Sequence, residues 1–328
     1  MSRISRATGF AWLRGCSFSR PAVTAVLTVL GLGPGLIAGV CPAEAQGQLP
    51  TKNDHVFVPT TFIPDAFVNT TLGITIGYSN TVKSDIPIFA PDGRQIATVT
   101  ADLLFMNGGV EFNCALRDWI GFMARFNALA RSGSSTQTIL ASGLSAGSGL
   151  LLGWEFRLRE SESSMLSGSA TVGTTSVTLI DVRSYVGNPS LGLSQSYTPL
   201  FASIAARYAH GFNDLVGLSA FGEVGSGENP TDDLDNTAFW RLGAAASFNL
   251  DQRYDIPLGF ALGMRTSSYP ITADNPDGNS LAWLVSMAYM GRPDFALTLD
   301  TEFERVPIEY HDLTMSYLGV TIGLKYCF

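Results

Sequence analysis

The chain has 328 residues, 46% of them hydrophobic, with 20 basic side chains against 28 acidic ones and a formal net charge of −8. With no basic stripe and no lysines clustered among aromatics, this balance excludes a nucleic-acid partner, and of the four cysteines only Cys114 and Cys327 lie beyond residue 45, too few for a small disulfide scaffold. No apolar stretch after residue 45 reaches the roughly 18 residues of a spanning helix, so any membrane insertion has to use strands.

Residues 1–45 read as a secretory signal peptide rather than as part of the fold. Arg3, Arg6, Arg14 and Arg20 precede a mostly apolar run over 22–40, and Ala43-Glu44-Ala45 supplies a small-x-small cleavage site before Gln46. The glycines and Pro34 in the run weigh against a spanning anchor, and the bulky Val40 weighs against a lipid anchor on Cys41. Without the four arginines and Glu44 of this leader, the remaining 283 residues carry 16 basic and 27 acidic groups, near net charge −11. Cys114 and Cys327 then remain. The alternation described below sets them on opposite faces of their strands, so no bond between them is expected. A length of 283 residues suits one large all-β unit or two ordinary domains.

Residues 46–69, with Pro50, Pro59 and Pro64, read as an extended periplasmic lead-in, and residues 70–328 as the folded body. A first strand is predicted over 71–78, with Leu72, Ile74 and Ile76 on one face, then an outer loop over 80–95. The second strand, over 97–116, is unusually long and contains a Gly108-Gly109 kink or bulge.

From Trp119 onward one design repeats: about 11 to 14 residues of alternation, a turn, then the same again. Short turns at 116–118, 159–164, 210–213, 251–255 and 291–293 take turns with long polar ones at 132–148, 180–198, 226–236, 267–278 and 307–314. Ile120, Phe122, Ala124 and Phe126 oppose Met123, Arg125, Asn127 and Arg131; Leu150, Leu152, Trp154 and Phe156 oppose Gly153, Glu155 and Arg157. Trp240, Leu242, Ala244 and Phe248 oppose Arg241, Gly243 and Ser247, and Phe295, Leu297, Leu299 and Phe303 oppose Thr298, Asp300, Glu302 and Glu304. Two segments, 215–225 and 280–290, carry apolar residues on both faces, and the Ser/Thr-rich 165–179 alternates weakly.

The strands are about twice the usual 5 to 6 residues of soluble sheets and match the 9 to 11 tilted residues that cross a bilayer. The polar faces mix charge with Gly, Ala and Ser, which suits a crowded lumen. Aromatics such as Tyr208, Trp240, Phe248, Tyr289, Phe295, Tyr326 and Phe328 recur near strand ends on the apolar face, as an interfacial girdle does. In hydrocarbon an unpaired strand edge costs several kcal/mol per polar group, so such strands close into a ring. The count predicts an all-β, closed, antiparallel up-and-down transmembrane β-barrel of about 12 strands, with 10 or 14 as alternatives and both termini on the side of the short turns.

The terminal stretch YLGVTIGLKYCF resembles the closing strand of bacterial outer-membrane β-barrel proteins, which end in Phe with apolar or aromatic residues at alternate positions before it. Ile322, Leu324, Tyr326 and Phe328 carry the resemblance, and Cys327 at the penultimate position is unusual. The resemblance implies residence in the outer membrane of a Gram-negative bacterium, contact with outer-membrane lipid and recognition by the barrel-assembly machinery. It names no subfamily.

The residues expected to line the lumen are Arg125, Arg131, Arg157, Arg159, Arg207, Arg241, Arg265 and Lys325, with Glu111, Glu155, Glu223, Asp300, Glu302 and Glu304. Basic groups on the middle strands against three carboxylates on one strand would set a transverse field that selects small polar solutes. Alternatively the charges pair with one another and hold folded-in loops, the segments 132–148 and 180–198 being candidates. Three functions are open: a porin-like channel or transporter, a structural or surface-recognition barrel, and a lipid-modifying enzyme. For the last, only His311, near Glu309 and Asp312, is placed in an outer loop, and no zinc-protease, phosphate-loop or calcium-loop motif is present. No cofactor or metal is expected.

Overall fold

The computed structural model describes residues 47–81, 84–89, 95–101, 104–132, 143–180, 194–228, 236–268, 279–308 and 313–328. The signal peptide expected over 1–45 and the middle of each long connection, including His311, lie outside the described residues. In chain order the elements are β1 (Thr51–Lys52), β2 (His55–Val56), β3 (Thr71–Thr81), β4 (Ser84–Phe89), β5 (Gln95–Ala101), β6 (Leu104–Arg117), β7 (Ile120–Ser132), β8 (Gly143–Glu160) and β9 (Ser164–Ile180). They continue with β10 (Ser194–Tyr197), β11 (Leu200–Gly211), β12 (Val216–Glu228), β13 (Asn236–Asn249), the single helical turn α1 (Asp251–Tyr254), β14 (Leu258–Ser267), β15 (Ser280–Arg292), β16 (Phe295–Ile308) and β17 (Leu313–Cys327).

Twelve of these strands, β3, β6 to β9 and β11 to β17, form one closed antiparallel ring. The last strand returns to the first: β17 pairs β3 from Tyr317↔Thr81 down to Cys327↔Thr71. Every strand edge inside the ring is therefore paired, as hydrocarbon surroundings demand. Ring strands run from 10 residues in β14 to 18 in β8. The side chains alternate as the sequence predicts, and the apolar set faces outward: Ile76, Leu242, Leu262, Trp283, Leu297 and Ile322 are all exposed on the ring's exterior. In β15 the alternation is complete, with Ser280, Ala282, Leu284, Ser286, Ala288 and Met290 buried between exposed or half-buried neighbours.

The second predicted strand differs. The ring takes β6, starting at Leu104, whereas Gln95–Ala101, which holds the first residues of the predicted strand, pairs in a separate hairpin with Ser84–Phe89 from the stretch expected as a loop. No bulge occurs at Gly108-Gly109; the pairing of β6 with β3 and β7 runs through both glycines without a shift. Gly109 is required by a close approach instead, since a Cβ there would lie 2.6 Å from Asn127 Oδ1 and 2.9 Å from Thr75 Oγ1.

The larger correction concerns the stretch before β3. Residues 46–69, expected as a lead-in separate from the barrel, run inside it over Leu49 to Val68. Each of the three buried apolar clusters joins this segment to inward-facing wall residues: Leu49 and Val58 with Ala261, Ala288 and Met290; Phe62 and Ile63 with Phe221 and Leu284; Phe57, Ala66 and Phe67 with Met165 and Ala209. Fully burying each large apolar side chain is worth about 1.5–3 kcal/mol, so a segment this rich in Phe, Val and Ile gains more inside than out.

Candidate functional site in the barrel lumen

The lumenal segment is fastened at both ends and in the middle. At its start, Leu49 N–H donates to the Pro293 carbonyl, and β1 and β2 form a hairpin whose two turn residues, Asn53 (φ 48°) and Asp54 (φ 62°), lie in the left-handed region that a type I′ turn needs. The Asn53 amide donates to the carbonyls of Gly211 and Phe212, and Lys52 Nζ reaches Glu160 at 2.5 Å, so the hairpin caps two short turns. His55 is fully buried beyond it. Its Nδ1–H donates to the Asp214 carbonyl at 3.2 Å; Nε2 then accepts the Ser247 hydroxyl at 2.9 Å, and that hydroxyl in turn accepts Val58 N–H at 3.1 Å. Burial pushes the imidazole below its ordinary 6.5, against the smaller upward pull of Asp214.

In the middle, Pro59 and Pro64 flank a turn in which Thr60 Oγ1 accepts Ile63 N–H at 3.1 Å. Thr61 donates its N–H and hydroxyl to one oxygen of Asp300, at 2.8 and 2.6 Å. Asp65 follows: its carboxylate takes Lys325 Nζ at 2.8 Å, and its carbonyl takes Arg207 at 3.2 Å. The segment leaves the lumen at Thr70, whose carbonyl accepts the N–H of Phe328.

The charged side chains pair along the wall. Glu111 and Arg125 face each other in register on β6 and β7 and are joined through Arg125 Nε at 2.7 Å. Glu223 and Arg241 do the same on β12 and β13 at 3.4 Å. Arg207 is bridged to Glu155, both nearly without solvent contact, and also donates to Ser169 at 3.2 Å. Arg265 reaches Glu302 at 3.0 Å and Glu304 at 3.7 Å. Asp300 is spent on Thr61 and Ser286. Arg131 sits over the Phe105 ring at 6.0 Å, Arg157 pairs with Glu160 at the rim, and Arg159 is exposed. Of these charges, Asp300, Arg207 and Lys325 fasten the N-terminal segment, and the middles of the two loops expected to fold in lie outside the described residues.

A cavity of about 370 Å³ remains beside the segment inside the ring. Its wall combines the Arg125, Arg207, Arg241, Arg265 and Lys325 cations with Glu111, Glu223 and Asp65, and its floor is the apolar side of Phe57, Val58, Phe62 and Ile63. The four alternate residues of the terminal resemblance, Ile322, Leu324, Tyr326 and Phe328, lie outside, with the Tyr326 and Phe328 rings edge to face at 4.9 Å. Cys327 is a free buried thiol.

No family model and no curated protein matches the chain. Among solved structures it overlaps with an outer membrane channel from Pseudomonas putida F1 (TM-score 0.48, 13% identity, 83% of this chain and all of that one). It overlaps likewise with the β domain of the Bordetella autotransporter BrkA (0.48, 10%, 80% and 100%) and with a Pseudomonas aeruginosa FadL homologue (0.43, 10%, 86% and 99%). The overlap is too loose to carry a role from any of them. The fold is a closed antiparallel β-barrel of twelve strands.

Sequence reasoning missed Thr61, Asp65 and the lumenal role of His55. A signal was present: 215–225 and 280–290 carry apolar residues on both faces, and their inward members, Phe221, Leu284 and Met290, are those that meet the segment. A wall that is apolar on both sides has an apolar partner inside.

Proposed function

We propose that this barrel sits in the outer membrane as a channel for small polar solutes, narrowed by its own N-terminal segment to the cavity described above. The observation that carries the reading is the belt of paired charges surrounding that cavity within a closed ring. A barrel serving only as a rigid support fills its interior with packed side chains, whereas this interior keeps guanidinium and carboxylate groups along an open space. Catalysis has less support: His55 has both ring nitrogens engaged in holding the segment, and the serine it meets is 2% exposed. The exterior meets outer-membrane lipid, and the terminal Phe328 with its alternate partners is the segment that the barrel-assembly machinery would read.

Single-channel recording in planar bilayers tests this, paired with solute flux into liposomes. The full chain is expected to conduct weakly, and a chain lacking residues 49–68, folded as judged by heat-modifiable gel mobility, to conduct several-fold more. Absence of conductance and flux in both forms would overturn the reading.

A further inference from the structure

The pairing of β13 with β14 sets Arg241 opposite Ser267 and Gly243 opposite Arg265. Arg241 and Arg265 are therefore diagonal neighbours on the inward face, within reach of each other for side chains of this length. Two like charges side by side repel, and here each is tied to acid on the side away from the other: Arg241 to Glu223 on β12 at 3.4 Å, Arg265 to Glu302 and Glu304 on β16 at 3.0 and 3.7 Å. Both still face the cavity, with 36% and 25% of their side-chain surface accessible.

An apolar patch adjoins them. Gly243, between the two on the same face, supplies no side chain, and its space is filled from elsewhere: a Cβ there would lie 2.5 Å from the Phe221 ring and 2.9 Å from Ile63 Cδ1. The Arg265 guanidinium lies 4.5 Å from the centroid of the Phe62 ring. Two cations above three apolar side chains, in a cavity of about 370 Å³, form a surface with two chemistries at a size suited to a small molecule.

We propose that Arg241 and Arg265 bind small carboxylates that carry an apolar body, the acid held by the guanidiniums and the body lying on Phe62, Ile63 and Phe221. A planar carboxylate matches the guanidinium fork and relieves the repulsion between the pair. A cation of the same shape meets that repulsion, and a bare inorganic anion leaves the apolar patch uncovered. The proposal deepens the channel reading by naming its solute class.

The test is fluorine NMR of 4-fluorobenzoate with the full chain in detergent micelles, set against 4-fluorobenzylamine and against the variant Arg241→Gln/Arg265→Gln. The native chain is expected to broaden the carboxylate signal saturably, with the amine and the double variant each at least tenfold weaker at equal micelle concentration. Should the double variant not fold, Ile63→Glu places a carboxylate on the patch from the lumenal segment and is expected to weaken binding by a similar factor. Equal binding of acid and amine, or undiminished binding by the folded variants, overturns the proposal. A chain that conducts without binding the carboxylate sinks this inference and leaves the channel; one that binds it without conducting does the reverse.

Discussion

Asp300, on the inward face of β16, is joined to Thr61 of the lumenal segment by two hydrogen bonds to a single carboxylate oxygen, 2.8 Å from the backbone N–H and 2.6 Å from the hydroxyl. The other oxygen takes Ser286 from the neighbouring strand, so a residue 2% exposed spends its charge on fastening the segment to the wall. Hydrogen bonds to a charged acceptor are worth about 1.5–3 kcal/mol each, and their loss leaves buried donors unpaired. Asp300→Ala is expected to weaken docking of the segment by about 2–3 kcal/mol, roughly 30- to 150-fold in its undocked fraction. Amide hydrogen exchange at Thr61 to Phe67 reads this directly, and unchanged protection there would refute the latch.

His55 makes the docking depend on pH. Its folded pKa lies below 6.5 because burial disfavours the charged ring. Between that lowered value and 6.5 the undocked chain binds more protons than the docked one, so docking strengthens with rising pH across the window. It is complete above 6.5 and is lost progressively as pH falls below it. The charged groups around the ring are Asp214 in the turn before β12 and Lys52, its partner across the hairpin, whose ammonium is held by Glu160. Protonated Nε2 also ceases to accept the Ser247 hydroxyl that supports Val58. Protection of the Val58 amide, taken relative to its intrinsic exchange rate at each pH, is expected to fall between pH 7.5 and 5.5 in the native chain, and His55→Gln should remove most of that dependence.

Two inward glycines should answer differently to the same change. A Cβ on Gly217 would run into the His55 ring and lie 2.9 Å from Phe57, whereas one on Gly149 would find its nearest neighbour, the Thr174 carbonyl, at 3.7 Å. Gly217→Ala is expected to cost about 1–3 kcal/mol of docking through overpacking, and Gly149→Ala almost nothing. Urea-dependent loss of segment protection would separate them, and equal midpoints for the two variants would count against this placement of the segment.

The exterior is open to a blunt trial. Leu242 and Leu297 are 52% and 43% exposed on the ring's outer face. A lysine at either position is expected to cost about 2–4 kcal/mol if it lies near the bilayer midplane. Insertion into liposomes, followed by heat-modifiable mobility, should fall for Leu242→Lys and Leu297→Lys and not for Ser219→Lys, which points into the cavity.

The ring was legible because its rule is local. Each strand announces its two faces within about a dozen residues, and lipid permits only a closed ring of such strands, so Leu242, Leu297 and Ile322 could be set outside from the sequence alone. Of the candidate charges, Arg125, Arg207, Arg241, Arg265, Lys325, Glu111 and Glu223 sit on the polar parity of their strands and line the cavity, whereas Arg157 is at the rim and Arg159 is exposed. The partners of these charges were not legible. Glu111 with Arg125 and Glu223 with Arg241 depend on cross-strand register, and the bridge of Arg207 to Glu155 passes over β9.

Period-two patterning assigns a side chain to a face and carries no information on what occupies the space that the face encloses. The stretch from Leu49 to Val68 has no strand periodicity of its own, and its prolines read as an unattached extension. Only the tertiary structure brings Thr61 to Asp300, 239 positions apart, and Asp65 to Lys325, 260 apart. Alternation along the chain decided that there is a barrel and which way it faces; contacts across the closed ring decided that its interior is occupied, because buried apolar groups and charges find partners by distance in space.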